Sequence, residues 1–180
     1  MSGKPLWERD PAAWAAHLAE GNTSQARKRV SVDAIIRDAD GRILIVNPTY
    51  KPGWDTPGGM SEANEPPNAT VRRELREELG LDLPAVRMLC VDWVPPHGPW
   101  DDMLAFVVDG GTLTTAQIES LRPTDGEIAG FDFCDPAQIG DRLRPRLARR
   151  ITAAHEALIH GVMVSYLTDG RASDTGHHQA

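Results

Sequence analysis

The stretch Gly59–Leu81, GMSEANEPPNATVRRELREELGL, decides how the rest of this 180-residue chain is read. Glu74, Glu77 and Glu78 stand at i, i+3 and i+4, so on a helix their carboxylates share one face. Like charges at that spacing repel, and an ordinary surface helix gains nothing from them. A hard divalent cation reverses the sign, because carboxylate oxygens suit Mg²⁺ or Mn²⁺. Val71, Leu75 and Leu79 recur at helical spacing and predict a stripe that faces a core. Pro66 and Pro67 suit the first turn of a helix only, and Gly80 stands where a helix would stop. Before them, Pro57, Gly58 and Gly59 predict a loop whose backbone comes close to a ligand. The local reading is a glycine loop, a helix with one acidic and one apolar stripe, and then a strand.

The stretch resembles the Nudix box, G-x5-E-x7-R-E-U-x-E-E-x-G-U, where U is a bulky aliphatic residue. Gly59, Glu65, Arg73, Glu74, Leu75, Glu77, Glu78, Gly80 and Leu81 fill every fixed position. The preceding Trp54-Asp-Thr-Pro-Gly-Gly is similar to the W-x-x-P-G-G run common ahead of that box. The resemblance implies an α/β fold, a Nudix-type α/β/α sandwich with a mixed β-sheet. It also implies hydrolysis of a nucleoside diphosphate derivative at its pyrophosphate bond, with Mg²⁺ or Mn²⁺ as cofactor. By the same resemblance Glu74 and Glu78 are metal ligands, Glu77 is a further ligand and a candidate base, and the Gly58 carbonyl is a candidate ligand. Arg73 is carried among the catalytic candidates. Its expected role, with Glu65, is an ion pair that holds the loop over the helix, with Gly59 beside it, and so orients the ligands. Glu127, in a later loop, is the other candidate base, with Asp125 and Glu119 weaker.

Composition bounds the alternatives. The length suits one domain with a substantial core. A formal net charge of −7 argues against a general nucleic-acid or anionic-membrane surface, but not against a small polyphosphate neutralised by metal. Cys90 and Cys134 fit no metal or redox spacing and read as small buried hydrophobes. No apolar run reads as a secretory signal or a membrane span, so a cytoplasmic enzyme is expected.

Along the chain, residues 1–29 read as an extension, with Asp10 capping a helix that starts at Pro11, carries Trp14 and Leu18, and ends near Gly21. Residues 30–168 read as the hydrolase domain and 169–180 as a disordered tail. Val30–Arg37 and Ile43–Val46 read as strands around an Asp38–Gly41 turn. Further strands are expected at Ala85–Val94, Met103–Val108 and Ile128–Phe133, and a short helix capped near Thr114. Pro145 opens a last helix with Leu147, Ile151, Ala154 and Leu158 inward. Its arginines, with Arg142 and Arg144, read as a solvated or partner-facing side. Val162–Leu167 reads as a strand or arm of the kind that docks on another subunit, and with the N-terminal extension it motivates a homodimer.

The substrate is the least specified part. Trp93, Pro95, Pro96, His97 and Trp100 gather in one stretch, where rings can stack on a base and prolines can stiffen the wall. In the family, a proline about this far past the box goes with ADP-ribose-type substrates, and Pro96 or Pro95 fills that place. Trp93, Pro96, Trp100 and Arg29 are therefore the substrate-binding candidates, Arg29 as a phosphate or ribose contact. The expected substrate is ADP-ribose or a nucleotide sugar. Two alternatives stand beside it: a triphosphate pyrophosphohydrolase acting on damaged nucleotides, and a ligand sensor that does not cut. Isoprenoid diphosphate isomerisation on the same fold is disfavoured, because both cysteines lie downstream of the box.

Overall fold

The computed structural model describes residues 4–83, 87–124, 126–161 and 165–172. The elements run α1 (Leu6–Arg9), α2 (Pro11–Ser24), β1 (Arg29–Arg37), β2 (Ile43–Pro48), β3 (Gly58–Met60), α3 (Pro67–Leu79), β4 (Arg87–Val94) and β5 (Met103–Thr112). They continue with α4 (Thr115–Ser120), β6 (Ile128–Cys134), a 3₁₀ turn at Pro136–Gln138, α5 (Ile139–Arg142), α6 (Pro145–His160), β7 (Ser165–Thr168) and β8 (Arg171–Ala172).

One mixed sheet carries the order β6-β2-β1-β5-β4-β7-β8, with β3 added to β1. β1 pairs in parallel with β5, and β4 with β7; the other neighbours are antiparallel. Strand alternation sorts the two faces. Val32, Ala34, Ile36, Leu44 and Val46 pack with Val71, Leu75 and Leu79 of α3. Ile35, Ile43 and Ile45 pack with Leu147, Ala148, Ile151 and Ala154 of α6. Both strands are therefore apolar on both faces, as a sheet covered by helices on each side requires. The architecture is the expected α/β/α sandwich.

Local chemistry explains most element ends. Asp10 accepts from the Ala13 amide at 3.0 Å and starts α2. The Asp38 carboxylate accepts from the amides of Asp40 (3.0 Å) and Arg42 (2.9 Å), closing the first hairpin. Thr114 and Gln117 form a reciprocal capping box at α4. Gly80 takes the left-handed conformation, φ 68°, and its amide caps α3.

Several readings are corrected. The glycine run is not only a loop: Gly58–Met60 is a short strand on β1. Of the expected arm Val162–Leu167, residues 162–164 lie outside the described residues; from Ser165 it is β7, which pairs with β4 of its own sheet, and β8 follows at Arg171–Ala172, past the expected start of disorder at Asp169. Residues 173–180, with His177 and His178, lie outside the described residues. α2 runs on to Ser24 and buries none of its side chains. Arg150 is not solvated. It is 6% exposed in the α6 face and donates to Asp33 on β1 at 3.3 Å and to the fully buried Asp92 on β4 at 2.9 Å. The second oxygen of Asp92 accepts from the Gly170 amide at 2.9 Å, which ties the β7–β8 turn into the same network.

Two buried carboxylates thus depend on one guanidinium. Arg150→Met leaves both without their cation, at a cost of about 3–5 kcal/mol. Urea unfolding is expected to show the midpoint falling with an unchanged slope; a midpoint within error of wild type would refute the role.

Candidate active site

A cleft of about 680 Å³ opens where β1, β3, the first turns of α6 and the loops after β2 and β4 meet. Its lining includes the carboxylates Glu74, Glu78 and Glu127 and the cations Lys51, Arg144, Arg146 and Arg150. Asp33, paired with Arg150, and Asp55, paired with Lys51 and Arg144, line it too, as do Arg29, Tyr50, His97 and Met103.

The acidic part is built on backbone closeness. A Cβ on Gly58, at φ 133°, would meet the Val32 carbonyl oxygen at 2.1 Å. A Cβ on Gly59 would meet the Glu74 carboxylate at 2.4–2.6 Å. Only glycine lets β3 lie on β1 with the Glu74 carboxylate against it. Glu78, 8% exposed, accepts from the Gly58 amide at 3.0 Å. Burial pushes the Glu74 carboxyl up from its ordinary range; Arg73 pulls it back, and Glu77 and Glu127 push it further. Glu127 is thus brought within electrostatic reach of the helix, its backbone carbonyl fixed by the Thr49 amide at 2.7 Å.

Arg73 is the hub of this region. It forks onto both oxygens of Glu65 at 3.0 Å each and donates to Glu74 and Glu77 at 2.9 Å and to the Met60 carbonyl at 3.0 Å. Glu65 also accepts from the Glu62 amide at 2.9 Å and the Thr70 hydroxyl at 3.0 Å. One guanidinium therefore joins β3, the connection into α3 and the acidic face of α3. Glu77 is half exposed, turned to Arg73, and outside the cleft lining.

The aromatic stretch splits. Trp93 and Pro96 do not line the cleft; the Trp93 indole donates to Asp102 at 2.8 Å, and Asp102 is also paired with Lys28. Trp100 is exposed and lies under the Arg29 guanidinium, 4.4 Å from its centroid, while Arg29 itself lines the cleft. Glu119 is outside the lining, and Asp125 lies outside the described residues. The sequence reading missed Asp33, Tyr50, Lys51, Asp55, Arg144, Arg146 and Arg150. Burial raises the Asp33 carboxyl to about 6 against the pull of Arg150.

Among the described residues no three His, Cys, Asp or Glu side chains are arranged to hold a metal. Mg²⁺ does not need that: it is commonly held by one or two carboxylates, waters and substrate phosphates. Glu74 and Glu78, crowded against a glycine backbone and raised or enclosed by burial, fit that requirement.

The family profile described as NUDIX domain matches residues 27–155. The chain belongs to the Nudix family. A protein of Gluconacetobacter diazotrophicus named RNA pyrophosphohydrolase is 39% identical over 75 residues, 37% of this chain and 45% of that protein. A MutT-like protein of Streptomyces ambofaciens is 37% identical over 59 residues, 33% of this chain and 38% of that protein. The chain thus spans less than half the length of these curated relatives. Among solved structures, the Nudix domain of Shewanella oneidensis NrtR, complexed with ADP ribose, aligns with a TM-score of 0.64 at 19% identity, covering 80% of this chain and 97% of that one. A UDP-X diphosphatase aligns with a TM-score of 0.64 at 20% identity, covering 87% and 74%. These two likenesses concern the fold. No helix among the described residues is long and apolar enough to cross a membrane.

Glu65 carries a testable signature. Its hydrogen bonds to Arg73, then to the Glu62 amide, hold its carboxyl down from 4.5 to about 2. A depressed carboxyl contributes stability fully above its unfolded value and loses it as pH falls through the folded one. The urea midpoint is expected to fall between pH 5 and 2, less steeply in Glu65→Gln; identical slopes would refute the clamp.

Proposed function

We propose that the chain is a metal-dependent pyrophosphohydrolase. It cleaves the diphosphate of a nucleoside diphosphate derivative, of the ADP-ribose or nucleotide-sugar kind, to a nucleoside monophosphate and a phosphorylated product. The observation that supports this most is the pair Glu74 and Glu78 set against Gly58–Gly59 in the cleft. Glu74 and Glu78 would hold Mg²⁺ or Mn²⁺, with the Gly58 carbonyl a further candidate and Glu77 reaching it only through water. Bound there, the ion would polarise the phosphoryl group and lower the pKa of an attacking water.

The chain's own residues do the rest. Arg73 and Glu65 position the acidic face without touching substrate. Glu127, within the charge field of Glu74, is the candidate to take the proton of the attacking water. Arg29, backed by Trp100, presents a guanidinium to a phosphate or ribose at the rim. Tyr50, 66% exposed at the same cleft, offers a ring to a base. The proposal includes a homodimer, in which a second copy covers the exposed Trp7 and Leu18 of the N-terminal helices.

Glu78→Gln keeps shape and removes a ligand charge. Turnover in the presence of Mg²⁺ is expected to fall by about two orders of magnitude or more with the melting temperature little changed. Product analysis across ADP-ribose, nucleotide sugars and nucleoside triphosphates checks the reaction: the first two release two monophosphates, whereas triphosphates release pyrophosphate. Near-normal activity in Glu78→Gln would overturn the ligand assignment.

A further inference from the structure

Lys51, Arg144 and Arg146 line the cleft without taking part in the reaction proposed at Glu74 and Glu78, yet they are held firmly. Lys51 and Arg144 converge on one carboxylate, Asp55, Arg144 at 3.3 Å. Burial opposes the charge on Lys51, but Asp55 more than offsets it and holds the ammonium protonated. Arg146 and Arg149 likewise share one carboxylate, that of Asp169. Each pair of cations therefore has a single counter-charge. The first turn of α6 carries no acidic residue, and its start has no side-chain cap, so its amide groups add positive potential. Lys51, Arg144 and Arg146 all line the cleft. Arg150, deeper, is engaged by Asp33 and Asp92.

We propose that Lys51, Arg144 and Arg146 form an anion subsite for a second acidic group of the substrate, a phosphate or carboxylate carried beyond the scissile diphosphate. This rests on the hydrolase reading above. A diphosphate neutralised by metal at Glu74 and Glu78 brings no counter-charge to these cations, which share their carboxylates two to one; a substrate with a further anion supplies it. Asp55 serves as the positioning carboxylate that holds Lys51 and Arg144 on the wall in the absence of ligand.

The test compares a Lys51→Gln/Arg144→Gln/Arg146→Gln variant with a control of equal charge change, Arg9→Gln/Arg87→Gln/Arg122→Gln, exposed positions outside the cleft. Calorimetry with inorganic tripolyphosphate in EDTA reads the subsite without hydrolysis. Wild type and control are expected to bind alike, and the cleft variant about tenfold or more weakly. With Mg²⁺, kcat/KM for UDP-glucuronate over UDP-glucose separates a distal carboxylate from a neutral hydroxymethyl. That ratio is expected to fall about tenfold in the cleft variant, with UDP-glucose turnover little changed. Lost tripolyphosphate binding with an unchanged sugar ratio supports the subsite and assigns it to phosphate. Equal tripolyphosphate affinity in the wild-type protein and the cleft variant, or an equal loss in the control, overturns it. Failure to hydrolyse either sugar counts against the hydrolase reading, while the tripolyphosphate comparison still decides the subsite.

Discussion

The site depends on one guanidinium. Arg73 meets Glu65, Glu74, Glu77 and the Met60 carbonyl at once. Carboxylates gathered on one helix face would otherwise repel each other and swing into solvent. Arg73 relieves that repulsion for Glu74 and Glu77 from outside the cleft and leaves Glu78 to the Gly58 amide. The apolar stripe of α3 fixes the helix on the sheet; the guanidinium fixes which carboxylates face the cleft. Packing and electrostatics therefore act on opposite sides of the same helix.

A second constraint is backbone proximity. Gly58 and Gly59 let β3 lie where any side chain would collide with β1 or with Glu74. Charges carried by α3 are thus placed beside a strand of the sheet rather than above a loop. The cleft gains an acidic wall on α3, while its cations come from elsewhere: Lys51 from the loop after β2, Arg144 from the residue ahead of α6, and Arg146 and Arg150 from α6 itself.

What could be read from the sequence follows from how local the signal is. The acidic helix, its proline start, its glycine stop and its core stripe are all encoded within Gly59–Leu81, and the structure has them. The Asp38 turn and the capping of α2 and α4 are equally local. β3 was hidden because a glycine run has no strand propensity; it is a strand only through its partner β1. The basic wall was hidden because Arg144, Arg146 and Arg150 look the same on paper as solvated arginines. Their meaning comes from Asp55, Asp169, Asp33 and Asp92, which are far away in the chain. Trp93 misled for the converse reason: a ring beside a loop suggests a binding wall, yet its indole is taken by Asp102.

The Arg150 bridge also sets an order of events for a chain emerging from the ribosome. Asp33 and Asp92 belong to strands made early, and the cation that neutralises them comes from a helix made late. Until that helix docks, the two carboxylates lack the guanidinium that pairs them in the folded protein. The β7–β8 turn then adds its amide to Asp92 as the final seal. The floor of the cleft therefore becomes dry only once α6 has been made and has packed on the sheet.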